Sequence, residues 1–244
     1  MGVQCHLTRA VWCFMGIVEP AKRGNLSRHQ NSNSSPHLLD GGFFIGGEMA
    51  GLYTKEDLLI KDKIFANRLT TQVLQDFYTE NLTHNVYVYT LNNGETIRLI
   101  FYTDQFCHLI GLSYFGYNGV VGWNSLMGKN ILVSKLSGIG SHKREEIRIT
   151  NFNKIVKILD NPKVYLYKNT DMRYQSDYFA VYDDGVRYYK LGIGTTSNGM
   201  NYGETYQVSL MASKDNKEID PNNLLVVTSK TTLSRSAFQD TYNS

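Results

Sequence analysis

Val86-Tyr87-Val88-Tyr89-Thr90-Leu91, the turn Asn92-Asn93-Gly94-Glu95, and Thr96-Ile97-Arg98-Leu99-Ile100-Phe101-Tyr102 form the stretch on which the fold turns. Both runs are rich in β-branched and aromatic residues, which pack well on a pleated surface. The turn between them tolerates positive φ, so the whole reads as a β-hairpin.

Working toward the N-terminus, Leu58, Leu59, Phe65, Leu69, Val73, Leu74 and Phe77 recur at helical spacing between Glu56 and Tyr78. Thr54 stands as N-cap ahead of Glu56 and Asp57, so one long amphipathic helix is expected. Working toward the C-terminus, Asp104 is placed to cap a short helix over Gln105 to Leu112 that stops near Gly111. Gly116, Gly119 and Gly122 mark the next stretch of chain as loop. Ile147, Phe152, Ile155, Val156 and Leu159, behind Lys143-Arg144-Glu145-Glu146, predict a second amphipathic helix that Asn161-Pro162 ends. Strands are expected at 163–167, 178–182, 186–193, 205–212 and 224–228, with Asp183-Asp184-Gly185 as one of the turns. The expected class is therefore α+β: N-terminal amphipathic helix, β-hairpin, helices, then a mostly antiparallel β-meander, in one domain over 49–244.

Composition agrees with a packed core, since 42% of the residues are hydrophobic and 12% aromatic, with 17 Tyr and 11 Phe. Twenty-five basic against 22 acidic residues leave a net charge of only +3, which permits nucleic-acid binding without demanding it. Cys5, Cys13 and Cys107 have neither C-x-x-C spacing nor an even number, so neither a zinc ribbon nor a disulfide framework is suggested, and a reducing, cytoplasmic setting is expected; no metal and no cofactor are expected either. The apolar run from Val11 to Val18 is too short to span a bilayer, and no small-residue cleavage pattern comes after it. Residues 1–48 carry little periodicity and contain Asn31-Ser32-Asn33-Ser34-Ser35-Pro36 and Asp40-Gly41-Gly42. That segment is either a flexible tail or translated leader ahead of a true start at Met49, because Gly46-Gly47-Glu48 suits the purine-rich run of a ribosome-binding site.

No P-loop, dinucleotide-binding glycine fingerprint, H-E-x-x-H or G-x-S-x-G is present. Gly192-Ile193-Gly194 lacks a following helix with Lys and Ser or Thr, and reads as a strand end. The most distinctive string is Phe106-Cys107-His108-Leu109-Ile110-Gly111-Leu112. With the preceding hairpin, it resembles the F-x-H-L-x-G-L helix of the phage-associated nuclease-like families grouped with barnase, EndoU, colicin E5/D and RelE, in particular the fourth of them. The resemblance covers roughly residues 55 to 230 as an order of elements. Gly203-Glu204-Thr205-Tyr206 departs from the proline-x-Ser-Phe strand of that family, which puts any role for Thr205 in doubt.

The resemblance implies a barnase/RelE-like fold that cleaves RNA without metal, the 2′-hydroxyl attacking the adjacent phosphate. That chemistry needs a base near neutral pKa, a proton donor and cations for the charge on phosphorus. His108 is then the acid/base group, with Arg187, Lys190 or Lys230 steadying the phosphorane and Tyr188 or Thr228 supplying a hydroxyl. Lys135, His142, Lys143, Arg144 and Arg148 would form a phosphate-binding patch. Arg187-Tyr188-Tyr189-Lys190 offers a strand on which bases could stack.

Each assignment has a plainer counterpart. His108 lies among apolar residues and could instead fix its helix to the sheet; the basic residues could be a solvated loop; the Tyr-Lys strand could be an ordinary half-exposed face. The functional expectation is a phage or bacterial ribonuclease of toxin or effector type, with RNA as partner and an antitoxin or immunity protein left open. The alternative is a non-catalytic protein- or nucleic-acid-binding domain with the same fold.

Overall fold

A computed structural model describes residues 51–167, 176–195, 204–217 and 219–242. These fall in one compact unit running from Gly47 to Ser244. The expectations for residues 1–48, including the start at Met49, lie outside the described residues.

In chain order the elements are α1 (Lys55–Ile60), α2 (Thr71–Tyr78), β1 (Asn85–Leu91), β2 (Thr96–Ile100), α3 (Phe106–Ile110), α4 (Gly119–Leu126), α5 (Lys143–Thr150), α6 (Lys154–Asp160), β3 (Lys163–Leu166), β4 (Tyr178–Asp183), β5 (Tyr188–Thr195), β6 (Glu204–Ser213), β7 (Leu224–Leu225), β8 (Val227–Ser234) and α7 (Arg235–Tyr242). The class is α+β, with the strands in one sheet of order β7-β3-β4-β5-β6-β2-β1-β8. Every pairing is antiparallel except β2 with β6, where Arg98 and Leu99 run alongside Glu204 and Thr205.

The hairpin forms as its sequence predicts, Val86 to Thr90 pairing with Ile100 to Thr96 around Gly94 at φ 87°. Strand alternation sends Tyr87, Tyr89, Leu91, Ile97 and Leu99 into the main core and leaves Val86, Val88 and Ile100 on the other face. The helices α1 to α6 cover the first face, and α7 packs Phe238 onto the second.

Only Val226 separates β7 from β8, yet these strands lie at opposite ends of the strand order. Consecutive Cα atoms are about 3.8 Å apart, so the two ends of the sheet must approach each other there. The contact is sealed by Asn92, whose amide donates to the Val226 carbonyl at 2.9 Å and whose side-chain oxygen accepts from the Val226 amide at 3.1 Å. The expected strand over 224–228 is thus two strands, and the meander is confined to β3 through β6.

The expected long helix over Glu56 to Tyr78 is two helices. Thr54 does cap the first, its hydroxyl accepting from the Asp57 amide while the Asp57 carboxylate accepts from the Thr54 amide. Between them the backbone is pulled into pairing instead: the Tyr53 amide donates to the Arg68 carbonyl, Val133 to Leu69 and Thr71 to Ile131, each at 2.9 Å. Thr70 then caps α2 afresh by accepting from the Val73 amide. These tertiary bonds replace the helical ones, which periodicity alone cannot foresee.

The second expected helix also divides, into α5 and α6. Phe152 is fully buried at the break, edge-on to Phe77 at 5.6 Å and stacked near Tyr78 at 6.2 Å. Asn151 closes α5 by donating to the Ile147 carbonyl, and Asn161 ends α6 before Pro162. The stretch expected as loop from its glycines contains α4. Gly122 is glycine for close packing, because a Cβ there would lie 2.6 Å from the Tyr117 carbonyl carbon. Gly192-Ile193-Gly194 lies within β5, where a bulge falls between Gly192 and Ile193.

Candidate functional site

The site is built around α3. Phe106, Cys107, Leu109 and Ile110 are all fully buried, with Phe106 edge-on to Tyr78 at 5.1 Å and to Trp123 at 5.0 Å. His108 is the exposed residue of this helix. A five-residue helix held on four apolar sides can keep its remaining side chain in water, and here that side chain is an imidazole. Asp104 does not cap α3; the position belongs to Gln105, without a side-chain bond.

The C-terminal end of α3 is closed twice. Gly111 adopts the left-handed conformation at φ 88°, and its amide donates to the His108 carbonyl at 3.2 Å. From α5, Arg148 donates through Nη2 to the His108 carbonyl at 2.7 Å and through Nε to the Leu109 carbonyl at 2.9 Å. Carbonyls of a last helical turn have no partner within the helix, and a planar guanidinium satisfies two at once. Arg148 therefore brings positive charge to the residue that carries the imidazole, and also holds its backbone.

Beyond Gly111 the chain makes a single 3₁₀ turn, Leu112–Phe115, closed by Gly116 at φ 87°. Leu112 anchors that turn in the core, while Tyr114 projects outward with 60% of its surface exposed. His142, half-buried at the start of α5, has both aromatics near it: its ring is 6.4 Å from Tyr114, tilted, and 5.5 Å from Phe115, edge-on. Its Nδ1 is 3.8 Å from the carboxylate of buried Glu145. Lys143 and Arg144 come next in sequence, both exposed, with Lys143 paired to Glu146 at 2.9 Å. Lys135 is exposed on an earlier turn, Val133–Lys135. In the sequence, residues 113–117 draw notice only through Gly116, and Tyr114 and Phe115 are passed over; aromatics held between the turn glycines Gly111 and Gly116 were the available signal.

The sheet residues do not join this group. Lys190 is 1% exposed, with Nζ 3.3 Å from the Asp215 carbonyl. It alternates with Tyr189 and Leu191, which belong to the core that contains α3, so it faces away from His108. Tyr188 shares that outer face, packed against a separate cluster of Phe179, Val181, Met211 and Ile219. Tyr189 is buried, its hydroxyl donating to Asp184 at 2.7 Å, so Arg187-Tyr188-Tyr189-Lys190 does not present an open stacking strand. Arg187 is half-buried in the β4–β5 turn, where its amide donates to Asp184. Thr228 and Lys230 lie on β8, at the far end of the strand order from β7; Thr228 donates to the Thr90 carbonyl, and Lys230 binds the C-terminal end of α6 at the Asp160 carbonyl, 2.8 Å away. Of Thr205, only the backbone is described, paired with Thr195 on one side and Leu99 on the other.

Cys107 is buried, and burial pushes its thiol up to about 12. Among the described residues no group of three or more His, Cys, Asp or Glu could hold a metal ion. No helix among them is long and apolar enough to cross a membrane.

Comparison with curated proteins and with solved structures gives no match. The sequence does match a family of phage-associated nuclease-like domains, and the match takes in the hairpin, α3, the Arg148 helix and the sheet. The family name indicates a nuclease-like domain acting on nucleic acid. Over residues 72–243, the chain belongs to the family described as phage-Barnase-EndoU-ColicinE5/D-RelE like nuclease4.

Proposed function

We propose that the domain is a metal-independent endoribonuclease of phage or bacterial toxin or effector type, with His108 as its acid/base group. The carrying observation is the exposure of His108 on a helix whose other residues are all buried. In the reaction, the imidazole takes the proton of the ribose 2′-hydroxyl, O2′ bonds to the adjacent phosphorus, and the P–O5′ bond breaks. A proton then returns to the departing O5′, leaving a 2′,3′-cyclic phosphate on one product. Charge accumulating on the phosphoryl oxygens falls to Arg148, Arg144, Lys143 and His142, with Arg148 also positioning the backbone of His108.

The test is cleavage of RNA in EDTA by wild type and His108→Ala. General acid/base catalysis contributes about 10²- to 10⁴-fold, so a loss of that order is expected. Equal rates would remove His108 from the mechanism. The second reading, a binding domain that keeps the fold without the chemistry, is favoured by the departure at Gly203-Glu204-Thr205-Tyr206. It would be upheld by tight RNA binding with no cleavage of any RNA. An antitoxin or immunity protein belongs to the first reading, which predicts growth arrest of bacteria on expression unless such a partner is supplied.

A further inference from the structure

We infer that Tyr114, with His142 behind it, is a stacking platform for an unpaired base, which makes single-stranded RNA the substrate class of the site. The inference rests on the ribonuclease reading for its ligand, but on separate residues for its evidence.

Among the described residues the exposed aromatic side chains are Phe65 and Tyr114, and Tyr114 is the more open of the two with 60% of its surface in water. Its backbone is unusually constrained for an exposed position. Left-handed glycines bracket its turn, Leu112 is fully buried at its start, and the Tyr114 amide donates to the Gly111 carbonyl at 3.3 Å. Gly111 in turn donates to the His108 carbonyl, so two backbone bonds connect the residue carrying the imidazole to the residue carrying the platform. With the backbone held this way, only the two side-chain torsions of the tyrosine remain to be ordered when a base settles on it.

His142 and Phe115 form the support. Phe115 meets the His142 ring edge-on at 5.5 Å, and that ring lies 6.4 Å from Tyr114 at a tilt of 44°. A phosphate chain leaving such a base meets α5, where Arg144 and Arg148 are four residues apart and thus share a helix face. Bases in a duplex are stacked on each other and cannot reach an aromatic platform, so the arrangement selects single strands, loops and bulges. It does not select sequence, because every base has a π-face.

Binding of labelled oligoadenylate is measured by fluorescence anisotropy in the His108→Ala background, so that the ligand survives. Tyr114→Ala should weaken it about 5- to 150-fold, and Tyr114→Phe or Tyr114→Trp should restore most of the loss. Affinity for an RNA duplex and for an abasic ribose-phosphate strand should be the same in all three variants. A Tyr114→Ala affinity within twofold of its parent overturns the platform, as does an equal loss on the abasic strand. A Tyr114-dependent complex with a protein, in a domain with no affinity for RNA, overturns it too. The two readings fail separately: His108→Ala cleaving like wild type removes the catalytic assignment and leaves the platform standing, whereas unchanged binding by Tyr114→Ala does the reverse.

Discussion

The guanidinium of Arg148 is bonded to the backbone of His108: Nη2 donates to its carbonyl at 2.7 Å, and Nε donates to the next carbonyl, Leu109, at 2.9 Å. A side chain from α5 thereby sets the position of the exposed imidazole on α3. Arg148→Ala should cost about 2 kcal/mol, the range for hydrogen bonds to a charged group, and lower Tm by about 4–8 °C in a domain of this size. Arg148→Lys should recover little of it, because one ammonium cannot reproduce the planar pair of donors. Thermal melts of the three proteins check this, and a lysine variant as stable as wild type would show that charge alone matters here.

Gly122→Ala tests the close approach of α4 to its neighbours. The new Cβ would sit 2.6 Å from the Tyr117 carbonyl carbon and 3.1 Å from the Cys107 sulfur. Alanine normally improves a helix by up to about 1 kcal/mol over glycine, so the sign of the change is diagnostic. A loss of about 1–3 kcal/mol in denaturant melts is expected, as for overpacking of a core. A stabilised variant would mean that α4 can shift without cost.

Phe152→Ala should be among the most damaging single changes, at about 3–5 kcal/mol. Its ring is what separates α5 from α6, fully buried between Phe77, Tyr78 and Phe106. Urea unfolding measures it, and a cost under about 1 kcal/mol would contradict the packing described.

Asp184 gives the expected pH dependence. Burial pulls its carboxyl upward, but the Tyr189 hydroxyl, the amides of Arg187 and Val186 and the charge of Lys154 outweigh it and hold the group below the ordinary carboxylate value. A carboxyl with a depressed folded value contributes stability that is fully present above its unfolded value, near about 4, and lost as pH falls through the folded one. Asp184→Asn should therefore melt below wild type at neutral pH, and the two curves should converge below about pH 4. A gap in Tm that stays constant down to low pH would assign the effect to lost packing.

Much of the fold was legible from residues alone, because the signals concerned are local. Alternation and the Asn-Asn-Gly-Glu turn specify β1 and β2, Thr54 and Asp57 specify a helix start, and Asn161-Pro162 specifies an end. The seven residues from Phe106 to Leu112 were enough to point to the family. Elsewhere a distant partner replaces a local preference. The segment before α2 pairs with residues near 131–133, Phe152 interrupts a helical period to fill the core, and Gly122 is a helix residue chosen for contact.

The candidate site divides in the same way. Sequence alone singled out His108, because a motif is a property of neighbouring residues. Only the tertiary structure shows which of the candidate cations lies against its helix. Strand alternation turns Lys190 and Tyr188 to the outer face and α6 takes up Lys230, while the return of α5 against α3 delivers Arg148 from forty residues away. The identity of a side chain is written locally, but the face it occupies depends on register and packing between segments distant in the chain, and those are settled only when the core closes.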